Sequence, residues 1–198
     1  MQQQKSVFLV LDMQNDLVHE EGPSGSGPLG KQVREREILS KTASAIAKAR
    51  EAEILVGFVR VGFSAGYPEC PVASPIFGPA RKNGIFKLGT WGTEIHSLLE
   101  QKEGDLQVIK NRVSPFYATN LEAQLRAQNI SRIYCSGVST QAVVQATVRD
   151  AHDRDYEIIV LEDCCAAHEA VEHQNSMQSL ARFCVTTSSG SVVFENPS

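Results

Sequence analysis

Residues 135–147, Cys-Ser-Gly-Val-Ser-Thr-Gln-Ala-Val-Val-Gln-Ala-Thr, pass from strand to turn to helix in quick succession. The preceding run Arg132-Ile133-Tyr134-Cys135 is largely apolar and stops at Ser136-Gly137. Ser139 and Thr140 then open a segment with helical spacing, and either side chain can cap it. In an open α/β sheet such a turn lies where ligands bind, because strand carboxyl ends and helix amino ends face one crevice. Gly137 is the residue that admits backbone conformations closed to others.

The rest of the chain repeats this alternation. Residues 6–11 (SVFLVL), 54–61 (ILVGFVRV), 106–110 (LQVIK), 132–135, 156–161 and 184–187 read as six strands. Their continuous apolar character fits strands covered on both faces. Helical spacing is expected over residues 34–52, 93–101, 120–128 and 170–182 and in the segment that Ser139 and Thr140 open, with Asn120 as the cap of the third. Strands alternating with helices predict a three-layer, Rossmann-like α/β domain over residues 1–198, with a mainly parallel six-stranded sheet and right-handed crossovers. Residues 20–30, rich in Gly and Pro, read as a flexible lid over the crevice. Residues 62–92, with Pro68, Pro71, Pro75 and Pro79, form a long loop of functional or interfacial character.

A formal charge of -4 with 21% charged residues gives no reason to expect nucleic acid or an acidic membrane as partner. No apolar run approaches the roughly 18 residues of a membrane span, and MQQQK leads straight into the first strand without a signal-peptide layout. Five scattered cysteines without paired spacing point to reduced thiols and a cytoplasmic setting. Asp12 ends the first strand, Lys110 ends the third, and Val143 follows the fourth, so all three fall on the carboxyl edge of the sheet. An aspartate there more often orders a loop than catalyses, and a strand-end lysine is usually solvated. A carboxylate and an ammonium meeting in one crevice, however, perturb each other's proton affinity.

The segment GVSTQAVVQAT resembles the nucleophile loop of the isochorismatase-like (cysteine hydrolase) superfamily. Amidase members there carry Gly-Val-x-Thr-x-x-Cys-Val-x-x-Thr, and Gly137, Val138, Thr140, Val144 and Thr147 match it. The position of the nucleophilic cysteine is Val143. The resemblance extends to VLDMQND, which supplies the superfamily aspartate at Asp12 with Gln14 in register, and to VIKNRVSPFYAT, which supplies the lysine at Lys110 with Phe116 and Thr119 trailing. A weaker match falls at His173. It implies Asp12 and Lys110 as catalytic, Gln14, Phe116, Ser139 and Thr140 as substrate-binding, a cis peptide at Val138–Ser139, and a homodimer or homotetramer; Trp91, beside two glycines in the long loop, is a candidate to line the substrate pocket or a subunit contact. Nicotinamidases of this kind bind a metal through histidines after the second strand. Here GFSAGYPECPV has none, so no metal or other cofactor is expected.

Three functions follow. The first is a hydrolase acting on a small polar or carboxylated molecule through Asp12 and Lys110, without a thiol. Isochorismatases proper set the precedent, since they lack the cysteine and cleave a vinyl ether with the aspartate as acid. The second is a catalytically silent relative that binds a metabolite or a protein. The third is an amidohydrolase with a relocated nucleophile at Cys164 or Cys165. Arg60 and Arg112, near the same edge, are candidates for holding an anionic substrate.

Overall fold

The computed structural model describes residues 4–197, and residues 1–3 of the opening MQQQK, with residue 198, lie outside the described residues. Six strands, β1 (Lys5–Leu11), β2 (Leu55–Val61), β3 (Leu106–Lys110), β4 (Ile130–Val138), β5 (Glu157–Ala166) and β6 (Val185–Thr187), form one sheet. Their order is β3-β2-β1-β4-β5-β6, and every neighbouring pair is parallel. The chain leaves β1 toward β2 and β3 on one side and returns to β4 on the other. The order therefore reverses between β1 and β4, and a crevice opens at their carboxyl ends.

Alternation along β1 sends successive side chains to opposite faces. Val7, Leu9 and Leu11 pack in one core with Ile133, Cys135 and Val148, while Phe8 and Val10 pack in the other with Ile46 and Phe58. The first core is closed by α5 (Leu121–Ala127), α6 (Gln145–His152) and Leu180 of α7 (Ala170–Leu180). The second is closed by α1 (Asn15–Val18), α2 (Pro28–Glu35) and α3 (Ile38–Glu51). The three-layer parallel architecture read from the sequence is the one observed.

Local differences have physical causes. The helix expected over residues 34–52 is two helices, because Glu37 takes a left-handed conformation with φ 56° between α2 and α3. No helix spans residues 93–101, where the chain makes only two short 3₁₀ turns, Trp91–Thr93 and Ser97–Leu99. Asn120 does not cap α5 through its side chain; Thr119 Oγ1 accepts the Leu121 N–H instead. Residues 20–30 are packed rather than loose, since a Cβ on Gly25 or Gly30 would run into the backbone of His19 or Gly25. Residues 62–92 carry a helix, α4 (Gly78–Asn83), and a third apolar cluster built on Phe63, Tyr67, Phe77 and Phe86.

Gly137 pairs with Leu11 across β4 and β1, and a Cβ there would lie 2.5 Å from Leu11 Cβ and 2.6 Å from Leu11 O. Both atoms belong to a buried strand end that cannot swing aside. Gly137→Ala is expected to lower stability by about 1–3 kcal/mol, the range for overpacking a core. Chemical denaturation reads that loss, and a variant as stable as the parent would contradict this account of the glycine.

Candidate active site

Asp12 is the first residue beyond β1, and it turns in a left-handed conformation with φ 57°, which aspartate tolerates better than most residues. Its N–H is held by Val59 O at 2.8 Å, so the turn is tied to β2. Lys110 ends β3, two strands away. Neighbouring strands lie about 4.8 Å apart, so only a long side chain spans β2 to reach the end of β1. Lys110 Nζ stands 2.7 Å from Asp12 Oδ2 and donates also to Arg112 O at 3.2 Å. Both side chains are almost wholly buried, and Asp12 Oδ1 has no hydrogen-bond partner. Burial is the larger influence on Asp12 and raises its carboxyl above the ordinary range, while the charge and hydrogen bond of Lys110 pull the other way.

The pair closes a cavity of about 320 Å³. Ser139, Ala142 and Val143 wall it from the loop after β4. Leu17, Ser24 and Leu29 wall it from the segment after β1, and Ile76, Phe77, Ile85 and Phe86 from the long loop after β2. Val143 lies in a π-helical turn, Thr140–Val144, that leads into α6, and such turns recur at functional sites. The Val138–Ser139 peptide is cis.

Four residues singled out in the sequence, Asp12, Lys110, Val143 and Ser139, therefore meet on one cavity. Four others do not. Gln14 is buried and works on the scaffold: its Nε2 donates to Val61 O at 3.0 Å and its Oε1 accepts from Val61 N at 2.8 Å. Phe116 packs in the core beside Tyr156. Thr140 turns inward, away from any capping role, with Oγ1 2.9 Å from His173 Nδ1. Trp91 lies outside the cavity, edge-on to His19. Arg60 donates to Thr93 O, and Arg112 to Glu69 O and Asn111 O, and neither side chain lines the cavity. Among the described residues, no cluster of three or more His, Cys, Asp or Glu is placed to hold a metal ion, and no helix is long and apolar enough to cross a membrane.

The chain matches the isochorismatase domain over residues 6–191. It belongs to the isochorismatase family. The family protein YecD of Escherichia coli O157:H7 is 30% identical over 178 residues, covering 88% of this chain and 87% of YecD. Ureidoacrylate amidohydrolase RutB of Variovorax paradoxus is 31% identical over 182 residues, covering 83% of this chain and 69% of its own. Among solved structures, an isochorismatase family protein from Desulfovibrio vulgaris aligns with a TM-score of 0.83 at 24% identity, over 94% of this chain and 95% of that one. N-carbamoylsarcosine amidase from Thermoplasma acidophilum aligns at 0.76 with 25% identity, over 95% and 98%. Isochorismatase-family relatives are hydrolases, and this chain stands among them.

Within this family member the relocated thiols are badly placed. Cys164 and Cys165 are fully buried and absent from the cavity wall. Burial pushes the Cys164 thiol up to about 12 and raises that of Cys165 as well, so neither supplies thiolate near neutrality. The sequence also gave little hint of the network behind the cavity. His173 Nε2 lies 2.5 Å from Glu162 Oε1, Arg36 NH2 reaches the same oxygen at 2.7 Å, and Arg36 Nε donates to Cys165 O at 3.1 Å. His173 thus links Glu162 at Nε2 to the Thr140 hydroxyl at Nδ1, which pins the start of the π-helical turn. The weak family match at His173 was the one available signal.

Burial, with Arg36 adding to it, lowers the His173 imidazole below its ordinary value despite Glu162. Between that lowered value and about 6.5, the unfolded chain binds more protons than the folded one, so stability falls as pH drops through this window. Glu162 is held below the carboxylate range and contributes its own loss only at lower pH. Melting temperatures measured from pH 8 to pH 5 are expected to fall less in His173→Gln than in the parent. An unchanged fall would remove His173 as its source.

Proposed function

We propose that this chain is a hydrolase that works on a small molecule through proton transfer at Asp12, assisted by Lys110, with no cysteine nucleophile. On the family pattern Val143 occupies the place of the thiol, and a valine side chain cannot form a thioester. The observation that carries the reading is the buried Asp12–Lys110 pair at 2.7 Å, with Asp12 Oδ1 left without a protein partner beside the cavity. A bond of the vinyl-ether kind suits a lone acid. Asp12 delivers its proton to the enol carbon, water adds to the resulting oxocarbenium carbon, and the hemiketal collapses to a carbonyl compound and an alcohol. The proton released on water addition returns to Asp12. Lys110 holds the carboxylate in place once its proton has left.

A raised carboxyl stays protonated to higher pH, which is the state an acid needs. The kcat/KM for a vinyl ether is therefore expected to fall as pH rises through the Asp12 value, and Asp12→Asn to lose about 10²–10⁴ in rate. Alkylation of the folded protein with iodoacetamide is expected to leave turnover intact. Activity that survives Asp12→Asn, or that disappears on alkylation, would overturn the reading. A second reading, a binding protein without turnover, is favoured by the absence of any cysteine from the cavity wall. Ligands that raise the melting temperature without being consumed would support it.

Removing one partner of the pair also tests its energetics. Lys110→Met strands a buried carboxyl and is expected to cost about 3–5 kcal/mol, whereas Asp12→Asn with Lys110→Met removes both charges and returns much of that stability. Chemical denaturation of the two variants reads the difference, and a double variant as weak as the single one would show that the cost lies in packing.

A further inference from the structure

Two spaces share one thin wall. The cavity of about 320 Å³ that holds Asp12 and Lys110 is lined in part by Phe77 and Val113. The same two side chains line an open groove of about 440 Å³ between the long loop and the segment after β3. Among the described residues no other borders both spaces. The groove takes its remaining walls from Pro71 and Ser74 of the long loop, from Tyr117 after β3, and from Asp150 of α6. Tyr117 is 62% exposed, so the groove opens to solvent.

Phe77 is fixed in this position. Its N–H donates to Ser74 Oγ at 3.2 Å, and its carbonyl accepts the Cys70 thiol at 3.1 Å. Its ring stands edge-on to Phe63, with centroids 5.8 Å apart and planes at 75°. Although it borders both spaces, Phe77 is buried. Val113 is half-buried and packs against the same apolar cluster. A ring held by close packing on one side and by its own backbone on the other does not swing aside without losing those contacts.

We infer that Phe77, with Val113 beside it, is the specificity-determining residue of the cavity and sets the length of apolar substrate that it accepts. A body longer than the cavity meets the Phe77 ring, and the groove behind that ring is the space into which a longer body would extend. The inference rests on the reading of the cavity as the site of reaction and deepens it by naming what limits the substrate.

Calorimetry on the full chain with unreactive 2-alkoxyethanols, ethyl to octyl, tests it. In the parent, affinity is expected to rise about fourfold with each added CH₂ until the chain reaches Phe77, and then to stop rising. Phe77→Ala joins cavity and groove and is expected to extend the rise by about two carbons or more. Phe86→Ala is the comparison: Phe86 belongs to the same apolar cluster and lines the cavity but not the groove. Should Phe77→Ala fail to fold, Val113→Ala takes less from the same wall and is expected to extend the rise by about one carbon. Affinity that rises without a break in the parent, no binding of any member, or a break that moves no further in Phe77→Ala than in Phe86→Ala would overturn the inference. So would a parent-like break in Val113→Ala. Turnover of alkyl vinyl ethers of matching length separates this inference from the acid role of Asp12. If the break moves as expected while no vinyl ether is hydrolysed, the wall stands and the acid role falls. If vinyl ethers are hydrolysed with one length preference in parent and Phe77→Ala alike, the acid role stands and the wall falls.

Discussion

A salt bridge buried across the width of a strand is the constraint around which this molecule is arranged. Desolvating a carboxylate and an ammonium costs several kcal/mol per ion, and their attraction repays this only when the geometry is held closely. The scaffold holds it from both ends. Asp12 is fixed by its N–H to Val59 O and by a left-handed turn, and Lys110 by the pairing of β3 with β2. Gln14 completes the arrangement. Its amide offers Val61 a donor and an acceptor where β1 has ended, and so stands in for the missing strand at the edge where the pair sits. A side chain that reads as a ligand-binding group is thus used up in satisfying backbone.

A second set of buried polar contacts serves the opposite wall. Arg36 at the break between α2 and α3, Glu162 in β5 and His173 in α7 converge on Thr140, at the start of the turn that carries Val143. Every polar atom in such a chain needs its partner, since a half-satisfied network costs more than an apolar one. The Glu37 conformation that splits the expected helix in two leaves Arg36 at the junction from which it reaches β5. The two networks approach the crevice from separate elements and meet only through the cavity wall.

The parts legible in the sequence were those governed by local pattern. Apolar runs mark the strands, and the strand ends place Asp12, Lys110 and Val143 on one edge. What escaped was set by contacts distant along the chain. Arg36 and His173 lie 137 positions apart, and no periodicity links them. The cavity wall from the long loop was hidden for a related reason. Phe77 and Phe86 follow neither a helical nor a strand period, and they face inward because Phe63 and Tyr67 build a small core beneath a Gly- and Pro-rich segment. Aromatic density in a loop that composition marks as irregular was the unread signal. Phe116 and Thr140 match a family pattern without lining the cavity, which shows that motif register locates a neighbourhood and not the direction of a side chain.

On the proposed reading, valine at position 143 alters the reaction more than the fold. A thiol hydrolase divides a difficult step by forming a covalent intermediate, and the acid beside it needs only to manage the thiol's proton. Without the thiol, proton transfer to substrate must itself carry the rate, so the acid has to remain protonated near neutrality. Burial beside apolar groups is the means of achieving that, because a low local dielectric penalises the charged carboxylate more than the neutral acid. A raised Asp12 is therefore a consequence of the Leu, Val and Phe side chains that surround the pair, and a change in that lining alters it.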